Sequence, residues 1–466
     1  MKFFRLGFLF CFCFANYSAQ AVGTETGTGT KAKTETETET KAEAEMEMAS
    51  NEVGDAIKKT AETAATEAKG MAIEAHTFGG KFLQALINVM IAASPGKTRV
   101  YLPAPSTDPN SGLTVGLLPV FLFLDKKEVV QQIFAPSITH NKIFGVTTTL
   151  RHYWYPHLGA QLFTFASYAT KSNYRFTLRY EDPHFFCDWA YFKFDATATE
   201  EGSYRFFGFG GNSKTDDQTN YALRDRFLLL TTGLNLNEHY KILLTHRFRH
   251  ADTVDGPIDS LPQISRFSPP PKGVNDPKDI VAQRLTFQYD TRDLAMAPLR
   301  GNLFSVFAEK AGHLGGQENF QRYGGDWRGY VPVHNNRFVT AWKMLLESTN
   351  NADIPFYEQS LLGGKDSLRG FGDARFVGRA KATLSVEERI LFYHLNAFNV
   401  DVNFEVAPFY EGGTVADTIG QIGLESWHHV GGVGFRSIVR PNVVGAIEVG
   451  FSEDGVALFV GIDYPF

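Results

Sequence analysis

The chain has 466 residues, a formal net charge of −6, 43 glycines and 14% aromatic residues. That charge gives no sign of a nucleic-acid partner, and a mean hydropathy of −0.18 leaves no mature apolar run of the roughly 18 residues a transmembrane helix needs. Of the three cysteines, Cys11 and Cys13 fall in a presumed signal, so Cys187 stands alone and excludes both a disulfide framework and a cysteine metal site.

Residues 1–21 read as a secretory signal. Lys2 and Arg5 give the positive start, Leu6 to Phe14 the apolar core, and Ala19-Gln20-Ala21 the cleavage site. A lipidated Cys11 or Cys13 is the competing reading, disfavoured by the bulky residues before each. Residues 22–96 are expected to be a low-complexity, disordered arm. Its Thr-Glu and Ala-Glu repeats carry too little apolar surface to offset the entropy of ordering. Within the arm, 81–93 reads as a short helix, too short to span a bilayer.

From about Val100 the texture changes to alternating segments of about ten residues, separated by Gly, Pro, Asn and Asp clusters. In the last segment Val456, Leu458, Val460, Ile462, Tyr464 and Phe466 share one face. A terminal strand ending on Tyr464 and Phe466 is costly in water and reasonable in the aromatic girdle of a membrane interface. Asn399 to Glu411 alternates as well, with Val400, Val402, Phe404, Val406, Pro408 and Tyr410 opposite Asp401, Asn403, Glu405 and Glu411. Carboxylates along one strand face fit a polar lumen and not a sandwich core. Similar strands are expected near 223–235, 240–250, 281–289, 303–312, 338–348, 381–391, 430–436 and 443–451.

The connections alternate in length. Long loops fall at about 211–222, 251–280, 349–378 and 412–427. Short turns fall near Asn237, His334, Asn396 and Pro441, and a medium one at Asp293–Arg300. Long at one end and short at the other is how outer-membrane barrels divide extracellular loops from periplasmic turns. The fold class is therefore all-β, a transmembrane antiparallel β-barrel over residues 97–466. At about 23 residues per strand and connection it would have about 16 strands, with 18 or 14 as the alternatives.

One loop stands out. Leu361-Leu362-Gly363-Gly364-Lys365-Asp366-Ser367-Leu368-Arg369-Gly370-Phe371-Gly372 sets a single arginine among leucines and a phenylalanine. It reads as a loop that folds inward, with Arg369 seeking an acid. Leu368-Arg369-Gly370-Phe371 resembles the (V/L)RG(F/Y) element of the BamA/TamA superfamily. Four more stretches resemble that family in the same order. They are Phe206-Phe207-Gly208-Phe209-Gly210; Asp290-Thr291-Arg292-Asp293 with Pro298 and Gly301; Phe409-Tyr410-Glu411-Gly412-Gly413; and Gly432-Val433-Gly434-Phe435-Arg436.

The resemblance implies that Arg369 pairs with Glu411, which stands where the family usually has Asp. It implies that Asp290, Arg292, Asp293 and Gly301 shape a strand-turn-strand unit. It also implies a protein of the Gram-negative outer membrane that inserts or translocates other proteins; such proteins usually carry POTRA domains before the barrel, but residues 22–96 show no βααβ pattern, so a barrel-only member is expected. Its partners would then be the outer-membrane lipid bilayer, unfolded outer-membrane client proteins and a periplasmic partner for the arm. A passive pore or surface antigen is the alternative.

No enzyme or cofactor pattern is present, and no metal site is expected. His428 and His429 are adjacent, so a strand sends them to opposite faces. His246 and His250 are about 13 Å apart along a strand, too far for one ion.

Overall fold

The computed structural model describes residues 91–94 and 97–462, apart from turn positions 126–129, 158, 187, 315–318, 335, 398–399 and 440–442. The signal with Ala19 and Ala21, most of the arm, Tyr464 and Phe466 lie outside the described residues.

The barrel has 18 antiparallel strands. They are β1 (Lys97–Pro103, resuming at Ser106–Asp108), β2 (Gly112–Leu124), β3 (Val130–Phe134, resuming at Ser137–Asn141), β4 (Gly145–Trp154), β5 (Gln161–Ala169) and β6 (Asn173–Phe185). Next come β7 (Ala190–Phe206), β8 (Thr219–Asn235), β9 (Tyr240–Asp255), β10 (Lys278–Asp290), β11 (Gly301–His313) and β12 (Asn319–Val333). The last third holds β13 (Phe338–Thr349), β14 (Ala380–Ala397), β15 (Val400–Ala416), β16 (His428–Val439), β17 (Val443–Ser452) and β18 (Gly455–Ile462). Each strand pairs with its neighbour in sequence, and β18 returns to β1 through Leu458↔Thr107.

The expected count of about 16 is corrected to 18. The long-loop rhythm that sets 23 residues per strand holds only from β7 onward. Before it, hairpins close through tight turns such as 142–144 and 170–172, so short strands fit into less chain. Residues 91–94 also differ from the expected helix. They form a strand against the start of β1, from Ile91↔Val100 to Ser94↔Lys97. The open backbone edge of β1 offers that segment partners that a short isolated helix lacks.

The period-2 pattern sorts the wall. Leu228, Leu244, Phe248, Leu285, Phe287, Phe304, Val306, Trp327, Met344 and Leu346 point outward and are exposed. That is the apolar band of a lipid-facing wall. Glu309, Glu387, Arg389, Glu405, Glu411, Arg436 and Glu448 point inward and are buried. The four long loops, 207–218, 256–277, 350–379 and 417–427, share the end opposite the short turns.

Loop 350–379 does not stand in solvent. Phe356, Leu362, Leu368, Phe371 and Phe376 are each fully buried. Ile354, Phe356, Tyr357 and Val377 pack with Phe206, Tyr221 and Ile264 at the long-loop end of the wall. A short ladder, Ser360–Leu362 with Phe376–Gly378, closes the loop on itself.

If the outward face meets lipid, Leu285→Arg should cost about 2–4 kcal/mol near the midplane. Unfolding by urea from lipid vesicles measures this, and a change below about 0.5 kcal/mol would contradict the assignment.

Candidate functional site

The inward face of β14, β15, β16 and β17 carries more acid than base. Glu387 and Arg389 come from β14, Glu405 and Glu411 from β15, Arg436 from β16 and Glu448 from β17. Alternate positions on adjacent strands place these side chains on one inner patch. Arg436 bridges it, with Nη2 donating to Glu387 Oε2 at 2.8 Å and to Glu448 Oε1 at 2.7 Å, and Nη1 to Glu405 Oε1 at 3.0 Å. Arg389 donates Nε to Glu387 at 2.6 Å and Nη1 to the carbonyl of Pro298 at 3.1 Å. The wall alone thus offers four carboxylates to two guanidiniums, all of them buried.

Arg369 supplies the third cation from the loop. Its Nε donates to Glu411 Oε1 at 2.8 Å and its backbone N–H to Glu411 Oε2 at 2.7 Å. Ser385 Oγ donates to the same Oε1 at 3.2 Å. Nη1 lies 3.1 Å from Glu448 Oε1 and Nη2 3.8 Å from Glu387 Oε2. Both are close enough for attraction but off the hydrogen-bond line, so neither terminal nitrogen has an acceptor. The guanidinium also lies over the Phe409 ring, 3.5 Å from its centroid, a cation–π contact in a dry site. Burial disfavours the charge on Arg369. Glu411, then Glu448 and Glu387, outweigh that and hold its pKa above the ordinary arginine value.

Glycines make room for this approach. At Gly450 a Cβ would come within 2.5 Å of the Arg369 carbonyl oxygen, and at Gly432 within 2.2 Å of the Phe409 ring. The loop enters through Gly363 and Gly364, at φ +119° and +84°, conformations open to glycine without strain.

The loop has a second anchor that no sequence pattern singles out. Glu358 is fully buried and receives Arg247 Nη1 at 2.7 Å and Arg247 Nη2 at 2.9 Å, with Arg249 Nη1 also donating to it. Arg322 reaches the same carboxylate at 3.3 Å. Burial pushes the Glu358 pKa up, but Arg247 and Arg249 outweigh it and hold the group below the usual carboxylate range. One loop therefore carries an acid into a basic patch on β9 and β12 and a base into an acidic patch on β14, β15 and β17.

The remaining expected residues fall elsewhere. Arg292 grips Asp290 through Nε at 3.0 Å and Nη2 at 2.9 Å. Asp293 Oδ1 accepts the backbone N–H of Leu294, Leu299 and Arg300 at 3.0, 2.9 and 3.3 Å. Gly301 sits at φ +99°, where a Cβ would come within 2.1 Å of the Thr291 carbonyl oxygen. These four residues shape the turn at the short-turn end, and the turn's Pro298 carbonyl accepts from Arg389 of the acidic patch. His428 and His429 do point apart, His428 to Glu453 and His429 to Tyr410. No group of three metal-ligating side chains occurs among the described residues.

A family profile described as the Omp85 superfamily domain matches residues 158–427. The chain belongs to the Omp85 superfamily. As an Omp85 barrel it is a protein of the Gram-negative outer membrane. The chain is 27% identical over 141 residues to the outer membrane protein assembly factor BamA of Nitratidesulfovibrio vulgaris, across 28% of this chain and 18% of that protein. It thus spans under a fifth of that relative's length. Among solved structures, BamA from Haemophilus ducreyi lacking POTRA domains 1–3 aligns at a TM-score of 0.46 and 14% identity, over 78% of this chain and 75% of that one. CdiB from Escherichia coli aligns at 0.45 and 13%, over 80% and 63%.

Arg369→Ala should lower barrel stability by about 3–5 kcal/mol, because buried carboxylates lose their counter-charge. It should also expose 350–379 to added protease. Arg369→Lys should not restore either property, since an ammonium cannot reach Glu411, Glu448 and Glu387 from one plane. A loss below about 0.5 kcal/mol with an uncut loop would contradict the assignment.

Proposed function

We propose that this barrel inserts other outer-membrane β-barrel proteins into the membrane, or passes them across it, at the junction between β18 and β1. The observation that carries the reading is the ladder there. Among the described residues, β18 meets β1 only at Leu458↔Thr107. Neighbours elsewhere are zipped along their length, as from Ala190↔Leu234 to Phe206↔Thr219 between β7 and β8. A ladder hydrogen bond contributes about 0.5–1.5 kcal/mol net, so a seam this short costs little to part. Once parted, the edge of β18 and the part of β1 beyond the 91–94 pairing carry free N–H and C=O groups, which template an incoming strand.

The substrate class follows from that chemistry. It is an unfolded polypeptide with strand-forming, alternating segments, delivered to a bilayer. The assembly-factor name of the N. vulgaris relative points the same way. A passive pore is the weaker reading, because loop 350–379 occupies the lumen with fully buried Phe356, Leu368, Arg369 and Phe371.

The test is the folding rate of a simple eight-stranded barrel added unfolded to vesicles that contain this protein. A Thr107→Cys/Leu458→Cys variant, oxidised, locks the seam. Folding should run several-fold faster than in empty vesicles, fall to the empty-vesicle rate on oxidation and recover on reduction. Equal rates with the seam locked and unlocked, or no acceleration at all, would overturn the proposal.

A further inference from the structure

Among the described residues the seam has one ladder pair, yet the hairpins on its two sides are joined through a third segment. At the long-loop end, the β1–β2 hairpin turns at Asp108–Gly112 and the β17–β18 hairpin at Ser452–Gly455. Both tips bond to residues 370–375 of the folded-in loop. On the last hairpin, Ser452 Oγ donates to the Gly370 carbonyl at 2.6 Å, and Arg375 Nε donates to Asp454 Oδ2 at 2.5 Å. On the first hairpin, Asn110 Nδ2 donates to the Asp373 carbonyl at 3.0 Å. A Cβ at Gly372 would come within 2.2 Å of Asn110 Oδ1, so the loop backbone is pressed against that turn.

These contacts are built, not incidental. Asn110 is 3% exposed and Arg375 4%. Arg375 also donates Nη1 to Ser213 Oγ at 3.0 Å and stacks on Phe207 and Phe376 at 4.1 and 4.4 Å. Arg205 Nη2 donates to the Asn110 carbonyl at 2.9 Å, which ties the first hairpin back to β7.

We propose that residues Gly370–Arg375 form a clasp across the seam, fastened to the first hairpin by Asn110 and to the last by Ser452 and Asp454, so that the seam parts when the clasp is released. This deepens the seam reading above and names its regulation. The loop's two inner anchors, Glu358 and Arg369, hold the clasp at the right height. The clasp therefore lets go without the loop leaving the lumen.

A charge sits at the edge of the clasp. Asp373 keeps a solvent-exposed edge, but the protein crowded around its carboxyl, then Asp108 of the first hairpin, Glu201 of β7 and Asp366 of the loop, push that carboxyl up to about 7. Tyr204 of β7 and Tyr221 of β8 also face it. The nearby cations are engaged elsewhere, Arg205 with Asn110 and Gln218, Arg375 with Asp454 and Ser213. Moved away from Asp108 and Glu201 as the clasp opens, Asp373 would return toward the ordinary carboxylate range. The closed clasp therefore binds the proton more tightly than the open one. Its contribution to closure is full below about 4 and is lost as pH rises through about 7. Ionised Asp373 then repels Asp108 and Glu201 across the contact.

The experiment places spin labels at Leu113→Cys and Val456→Cys in a cysteine-free background, with the barrel in vesicles and no client present. Leu113 pairs with Thr107 and Thr107 with Leu458, so the labels straddle the seam. Wild type at pH 5.5 should give one short distance. Asn110→Ala and Arg375→Ala should each raise a longer-distance population at least threefold. Raising wild type to pH 8.5 should do the same, and Asp373→Asn should remove that pH response.

Asn110→Ala deletes one side-chain bond from a turn, so it keeps the test decisive if Arg375→Ala does not fold. Distances unchanged by Asn110→Ala would overturn the clasp, and a flat pH response in wild type would remove the role of Asp373. Variants that widen the seam without changing client folding would uphold the clasp and sink the insertion reading. Faster client folding with unchanged distances would do the reverse.

Discussion

Four carboxylates with too few counter-charges line one arc of the barrel lumen, and the rest of the site is arranged around that deficit. Glu387, Glu405, Glu411 and Glu448 are each at most 5% exposed. Removing such groups from water costs several kcal/mol apiece unless charge and hydrogen bonds replace the lost solvent. Arg389 and Arg436 from the wall offset part of the cost, and Arg369 arrives on a loop. Arg369 cannot arrive alone. The leucines and phenylalanines beside it fill the space that water would otherwise take, and Gly432 and Gly450 let the backbone come close. Replacing the whole network by packed apolar residues would cost little in stability. Its consequence is positional, because it fixes where one loop sits relative to four strands.

That position matters because the same loop is held from the other side. Glu358 enters a cluster of Arg247, Arg249 and Arg322, with Glu309 completing it. The two anchors have opposite signs on opposite patches, so the loop has one polarity of insertion. Reversing it would bring acid to acid and base to base. A loop pinned this way presents residues 370–375 to both hairpins at the seam. Among the described residues the barrel closes through one ladder pair and a set of loop contacts, where a plain barrel closes through a full ladder.

Much of this was legible from the chain, and the reasons differ by element. β15 and β18 announce themselves because lipid on one side and a polar lumen on the other force a strict two-residue alternation. Arg369 stands out because an arginine among leucines has no surface rationale, and the family resemblance names Glu411 as its partner, 2.8 Å away. The average length per strand favours 16 over 18 because the first six strands take less chain than the rest, and the breaks in β1 and β3 at Ala104-Pro105 and Ala135-Pro136 blur the count there. Glu358, Asp454 and Asn110 were missed for a deeper reason. Each is an ordinary polar residue in a loop or turn, and its partner lies far along the chain, 263 positions away for Asn110 and Asp373. No local pattern carries that information. Glu448 was within reach, since it is an inward acid on an otherwise apolar alternating strand.

The most direct test of this account is a double-mutant cycle on Arg369→Gln and Glu411→Gln, with unfolding free energies measured in vesicles. If the buried pair sets the loop, each single change costs more than the pair of changes implies, and the coupling energy is about 1–3 kcal/mol. Costs that add to within about 0.5 kcal/mol would mean the two groups do not act on each other, and the loop would then owe its place to its apolar side chains alone.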